Sequence, residues 1–302
     1  MSFSSETKNE LCKISELPKC CAIAQCYGIV LFCNTFSDSE IKIVTENAAF
    51  IKILPRLFKK AFGFSFDGIV TNEQGTKTVL EIKDKKKLDE IFNVYGYERS
   101  SILAHHINYG VLEEECCQTS FVRGAFLAGG SVTDPEKQYH LELVTDHYNV
   151  SLEIYSLLLE MGFKPKSTSR GGNYIIYFKS SSTIEDLLTT IGAPVSAMNI
   201  MSEKILKDMT NSVNRRVNCD TANVTKTVEA AQTQIEAINY LKDTGLIDEL
   251  PEKIKETAEL RLENPELSLS EMADLFTPPV TKSCLNHRFR KIMKLAGTKK
   301  EN

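Results

Sequence analysis

Residues 41–47, IKIVTEN, return at 141–147 as LELVTDH. Each segment is followed by an amphipathic stretch closing on Gly-Phe, at Gly63-Phe64 and at Gly162-Phe163. Further on, VLEIKDKKKLDEIF from Val79 corresponds to IIYFKSSSTIEDLL from Ile175, setting apolar Leu80, Ile82, Leu88 and Ile91 against Ile176, Phe178, Ile184 and Leu187. A duplicated chain has few choices of architecture. It must build one unit twice and join the copies about a pseudo-two-fold axis, burying the most apolar element of each at the join.

The same order of elements is legible in both copies. An apolar helix over 22–33 or 119–130 comes first, then a hairpin whose second strand, 40–45 or 140–145, alternates with period two. A second helix carries Ile51, Leu54, Leu57, Phe58 and Phe62 in one copy and Leu152, Tyr155, Leu158 and Leu159 in the other, at helical spacing. Another hairpin and a short helix close the unit, so the predicted order is αββαββα, twice. The first helix of the second copy, in FVRGAFLAGGSVTDP at 121–135, contains Gly124, Ala125, Ala128 and Gly129. A helical glycine costs about 1 kcal/mol relative to alanine, and Gly28 falls opposite Gly124 in the repeat. Close approach of the two helix backbones accounts for both. A phosphate loop would need a strand before the glycines and Lys-Ser or Lys-Thr after them, and GGSVTDP supplies neither.

With 302 residues, 42% hydrophobic and 25% charged, the chain has room for two or three compact domains. Its longest apolar runs, such as GIVLFC at 28–33, fall far short of the roughly 20 residues that span a bilayer. The N-terminus lacks the apolar core of an export signal. A cytoplasmic protein with no membrane partner is expected. The nine cysteines include no C-x-x-C pair and their count is odd, which predicts buried, reduced thiols. The five histidines form no ligand spacing. Neither a metal nor a cofactor is expected.

Beyond about Met201 the pattern becomes helical. Val224, Val228, Ala231, Ile235, Ile238 and Leu241 predict a helix from about 221 until Gly245 ends it. A second helix opens at Pro251 and stops at Asn264-Pro265. Ser268 and Glu271 form a capping-box signal for a third, with Leu269, Met272, Ala273 and Phe276 on its buried face. From Thr281, Leu285, Phe289, Ile292 and Ala296 make one stripe, opposite Ser283, Asn286, His287, Arg290 and Lys294. Between 281 and 300 the charges are Lys282, Arg288, Arg290, Lys291, Lys294, Lys299 and Lys300, with no acid among them. A short capped helix, the TPPV connection and a basic second helix are what a helix-turn-helix reader of double-stranded DNA requires. Asn and Arg on its outer face suit base edges. Arg288, at the edge of the apolar stripe, is a phosphate-contact or snorkelling candidate. The polar stretch 211–227, with Arg215, Arg216 and Lys226, reads either as a tether or as a segment that hydrogen-bonds phosphates or a neighbouring domain.

RGAFLAGGSV, after one hundred residues that repeat it in outline, resembles the LAGLIDADG motif of homing endonucleases. Together with the tail, the whole chain resembles the WhiA family of bacterial regulators. The resemblance implies motif helices paired at the interface between repeats and a saddle of sheets over DNA. It also implies regulation of transcription at sporulation and cell-division genes, with another transcription factor or RNA polymerase as further partner. Homing endonucleases place an acid at the end of each motif helix, where the two acids hold divalent cations beside the scissile phosphates. Cys33 and Gly129 stand at those positions here, while Asp38 and Asp134 lie beyond the helix ends. The nuclease is therefore expected to be lost.

The expected fold is α+β: LAGLIDADG-like repeats over 1–110 and 111–205, a linker over 206–225, and an all-α helix-turn-helix domain over 226–302. In the strand 173–179, Tyr174, Ile176 and Phe178 should face the core, leaving Asn173, Ile175, Tyr177 and Lys179 open; the first copy offers Val79, Glu81 and Lys83. Lys164, Lys166 and Arg170 are candidates for phosphate contact or for a merely solvated hairpin. The expected function is a sequence-specific, nucleoid-associated DNA-binding regulator on an inactive nuclease scaffold. An endonuclease with displaced metal ligands, or a scaffold whose repeats bind protein while the tail binds DNA, are its rivals.

Overall fold

The computed structural model describes residues 2–14, 16–72, 75–97 and 104–300, with side chains as far as 297. They form two compact units, 1–207 and 208–302.

In the first unit the duplication is exact in order. One copy runs α2 (Lys19–Leu31), β1 (Thr35–Phe36), β2 (Ile41–Thr45), α3 (Ala48–Phe62), β3 (Gly68–Thr71), β4 (Thr78–Ile82), α4 (Lys85–Val94). The other runs α5 (Glu115–Gly129), β5 (Gly130–Val132), β6 (Leu141–Thr145), α6 (Tyr148–Glu160), β7 (Lys166–Arg170), β8 (Asn173–Phe178), α7 (Ser181–Ile191). Both sheets are antiparallel, with matching orders β1-β2-β4-β3 and β5-β6-β8-β7. Alternation sets the faces: Ile41, Ile43, Leu80 and Ile82 in one sheet, and Leu141, Leu143, Ile176 and Phe178 in the other, are buried in a shared core. Local chemistry sets the helix ends. The Asn47 side chain accepts from Phe50 N–H at 2.8 Å to start α3, and Gly63, at φ 85°, ends it.

The motif helices α2 and α5 pack together at the centre. A Cβ at Gly28 would lie 2.1 Å from the Phe121 carbonyl oxygen, and one at Gly124 would lie 2.1 Å from that of Gln25. The contact is reciprocal, which establishes the close-approach reading for this pair. Gly129 is confined differently, its added Cβ falling 2.5 Å from Val144 O and 3.2 Å from the Phe32 side chain.

Some expectations need correction. A helix before the first repeat, α1 (Phe3–Leu11), is capped by Ser2, whose hydroxyl accepts from Ser5 N–H at 3.3 Å. The buried face of α6 is Val150, Ile154, Leu157 and Leu158, whereas Leu152 is 50% and Leu159 46% exposed. Ile175, expected on the open face, is buried at 4% although it lies outside the main core. Its cross-strand neighbours Val144 and Thr168 flank it on the two adjoining strands.

The largest difference concerns the linker. Residues 206–225 are helical, part of α8 (Pro194–Asp243), a helix of 50 residues that supplies both units. Pro194 opens it, and no glycine or further proline intervenes before Gly245, at φ 71°. Polar composition alone does not stop a helix once propagation is favourable. Val224 and Val228, expected on a buried stripe, are exposed, whereas Ala231, Ile238 and Leu241 are buried. The start of α8 is closed by α1: Val195 and Ser196 N–H donate to the Glu10 carboxylate at 2.7 and 2.9 Å, and Ser196 Oγ donates at 2.7 Å.

The second unit adds α9 (Glu252–Glu263), α10 (Leu269–Asp274) and α11 (Lys282–Lys300). Ile238, Leu241, Ile254, Ala258, Met272, Phe276, Leu285, Phe289 and Ile292 make its core. No helix among the described residues is long and apolar enough to cross a membrane.

Candidate nucleic-acid interface

The capping box predicted before the short helix is formed on both sides. Ser268 Oγ accepts from Glu271 N–H at 3.3 Å, and Ser268 N–H donates to Glu271 Oε2 at 2.8 Å. The connection then leads to Thr281, whose hydroxyl accepts from Cys284 N–H at 3.2 Å and starts α11. Leu285, Phe289, Ile292 and Ala296 are buried as predicted. Lys282, Ser283, Asn286, His287, Arg290, Lys291 and Lys294 are exposed along the rest of the helix. The side chains of Lys299 and Lys300 lie outside the described residues.

Arg288, expected either to contact phosphate or to snorkel along the apolar stripe, has its guanidinium turned toward α9. Its guanidinium donates to Lys253 O at 3.1 Å and to Thr257 Oγ1 at 3.0 Å, and sits 5.1 Å from the centroid of the Phe276 ring. It joins α11 to α9. Arg261 on α9, which sequence reasoning passed over, is buried with its guanidinium 5.4 Å from the centroid of Phe289 and donating to Leu267 O at 2.7 Å. Burial holds its pKa below the usual guanidinium value. Two arginines thus fix the angle of α11 from its inner side, leaving Asn286 and Arg290 outward.

The open faces of the two sheets differ in charge. On the first, Lys83 Nζ lies 2.6 Å from Glu81 and 3.7 Å from Glu40, and Lys42 lies 3.8 Å from Glu81. These four charges neutralise one another. On the second, register places Lys166, Thr168 and Arg170 beside Tyr177, Ile175 and Asn173. Gly171 and Gly172, at φ 59° and 84°, make the tight turn that sets Arg170 at the hairpin tip. Lys179 Nζ stands 5.4 Å from the centroid of Tyr177. The acid of this face, Glu142, accepts from Ser131 Oγ at 3.2 Å and lies 3.3 Å from His140 Nε2. Lys166, Arg170 and Lys179 are exposed, as are Arg215, Arg216 and Lys226 on α8.

At the ends of the motif helices the chemistry is inert. Cys33 Sγ donates within 3.1 Å of Val30 O and Thr35 O, and burial pushes its thiol up to about 12. Gly129 has no side chain and no room for one. Sequence spacing missed one constellation elsewhere, at the opposite ends of the same helices. Cys20, Cys21, Cys116 and Cys117 bring their Sγ atoms within 4.8 Å of one another, against the expectation that the cysteines form no ligand set. Spacing rules look for ligands along one loop, whereas here each helix contributes an adjacent pair.

Comparison with known proteins bears on the whole chain. Residues 118–210 match the WhiA LAGLIDADG-like domain and residues 213–296 the WhiA C-terminal HTH domain. A protein of Thermoanaerobacter sp. (strain X514), called probable cell division protein WhiA, is 37% identical over 317 residues, covering 100% of this chain and 99% of the relative. One of the same name from Ruminiclostridium cellulolyticum is 37% identical over 310 residues, again covering 100% and 99%. The crystal structure of full-length WhiA from Thermatoga maritima shares the fold, with a TM-score of 0.61 at 24% identity over 99% of each chain. Full-length identity, both domain matches and the fold agree: the chain belongs to the WhiA family.

Proposed function

We propose that this chain is a sequence-specific regulator of transcription that binds double-stranded DNA in the nucleoid at cell-division and sporulation genes, without cutting it. The observation that carries the reading is α11: its inner stripe is buried and its outer face presents Asn286, His287, Arg290 and several lysines with no acid between 281 and 300. An Asn can pair with adenine and an Arg with guanine in the major groove, each contact contributing roughly 1 to 3 kcal/mol of discrimination. Lys166, Arg170 and Lys179 on the second sheet, and Arg215, Arg216 and Lys226 on α8, are proposed phosphate contacts.

Asn286→Ala or Arg290→Ala is expected to flatten the preference for an operator over random DNA. Lys282→Ala is expected to weaken binding to all sequences and to lower the salt slope by about one charge. Binding curves at several salt concentrations on both DNAs make the comparison. Specificity that survives loss of both Asn286 and Arg290 would assign recognition to another surface. A second reading is favoured by the self-neutralised face of the first sheet: the repeats hold a protein partner, such as RNA polymerase or another transcription factor, while the second unit holds DNA. A footprint no longer than one helix-turn-helix site would support it.

A further inference from the structure

The pairs Cys20-Cys21 and Cys116-Cys117 are 96 residues apart, the same offset that relates Gly28 to Gly124. They occupy equivalent places in the first turns of α2 and α5. The pseudo-two-fold arrangement that brings the motif glycines together therefore also gathers four thiols at the other end of the helix pair. Their Sγ atoms lie within 4.8 Å of one another. A tetrahedral tetrathiolate ion with metal–sulfur bonds of about 2.3 Å needs its sulfurs about 3.8 Å apart. Small rotations about the cysteine side-chain bonds cover the difference. A four-iron cube holds its ligand sulfurs farther apart and does not fit inside this set.

We propose that Cys20, Cys21, Cys116 and Cys117 form a tetrathiolate site for one thiophilic divalent cation, with Zn2+ the ion its geometry suits, clipping the two repeats together. Four sulfur ligands in tetrahedral array select Zn2+ or mononuclear iron over hard cations. Cys20 and Cys116 are exposed and provide the entry side, whereas Cys21 and Cys117 are buried and form the floor.

The surroundings supply what such a centre requires. Binding converts four thiols and a dication into a complex of charge −2 and releases four protons, with no oxidant or reductant involved. The N-terminal ends of α2 and α5 present partial positive charge to that complex. Arg123, buried on α5, donates to the neutral oxygens Ile191 O at 2.6 Å and Gln25 Oε1 at 3.3 Å. Burial lowers its pKa. Ser120, also buried on α5, lies one turn beyond the Cys116-Cys117 pair. A bound cation is the agent that deprotonates the four thiols.

The test uses the full-length chain, reduced and stripped of metal under anaerobic conditions, titrated with Co2+ and then with Zn2+. The expected result is saturation at one equivalent, with thiolate-to-cobalt charge-transfer absorption and tetrahedral ligand-field bands that Zn2+ abolishes. The Cys20→Ser/Cys116→Ser double variant, altered only at exposed positions, should lose that absorption while its metal-free melting temperature matches that of the metal-free parent. Cys219→Ser/Cys284→Ser should keep it. Zn2+ should raise the melting temperature of the parent and leave the first double variant unmoved. Absence of charge-transfer absorption, an octahedral cobalt spectrum, or absorption that persists in Cys20→Ser/Cys116→Ser overturns the proposal. So does recovery of these four thiols as stable disulfides from reductant-containing buffer.

Discussion

A methyl group at position 124 would meet the Gln25 carbonyl oxygen at 2.1 Å, whereas one at position 297, also helical, would meet nothing within 4 Å. The same substitution must therefore change sign between them. Gly297→Ala is expected to stabilise the second unit by up to about 1 kcal/mol through helix propensity. Gly124→Ala is expected to destabilise the first by about 1 to 3 kcal/mol, because backbone atoms cannot step aside as a side chain can. Thermal melts of both variants decide it, and equal shifts would remove the close-packing argument. The glycine pair was legible in the sequence because superposing the repeats sets Gly28 on Gly124. The cysteine pairs obey the same superposition, yet rules built on C-x-x-C spacing pass over adjacent residues. Arg288 was legible as a residue at the edge of the apolar stripe. Its partners Lys253 O and Thr257 Oγ1 were not, since they belong to another helix.

Among the elements, α8 separates what composition says from what the backbone does. Asn, Ser, Thr and Arg between 211 and 227 suggest a connection, but no residue there forbids helical φ. Val217→Pro is expected to break α8 at an exposed position, at a local cost of about 3 kcal/mol. Far-UV circular dichroism should show lost helicity, and limited proteolysis should cut near 217. Helicity and protease resistance equal to the parent would contradict a continuous helix through 206–225. The core faces of β2, β4, β6 and β8 were legible, because alternation sets which residues share a face, although the burial of Ile175 was not. The face of α6 was not. Its sequence is apolar at so many positions that several stripes compete, and only packing chooses Ile154 and Leu157 over Leu152 and Leu159.

For the molecule as a whole, the two ends of the motif helices differ in chemistry: one gathers thiols and the other carries Cys33 and Gly129. No cleavage of bound DNA is expected with Mg2+ or Mn2+. Placing acids at these positions should not confer cutting either, since any side chain at 129 must displace Val144 O, 2.5 Å from where its Cβ would lie. Incubation of the parent and a Cys33→Asp/Gly129→Asp variant with operator DNA checks both statements, and specific nicking by either would revive the endonuclease reading. A different consequence attaches to Glu10, which receives the backbone of Val195 and Ser196 from 185 and 186 positions downstream. Ribosomes add about 5 to 20 residues each second, so its carboxylate waits on the order of ten to forty seconds for those donors to be made. Throughout that interval the nascent chain carries α1 without the helix it caps. Helix α1, made before either repeat, is thus fastened among the last of its unit, and closure of the repeat pair acquires a clock set by translation.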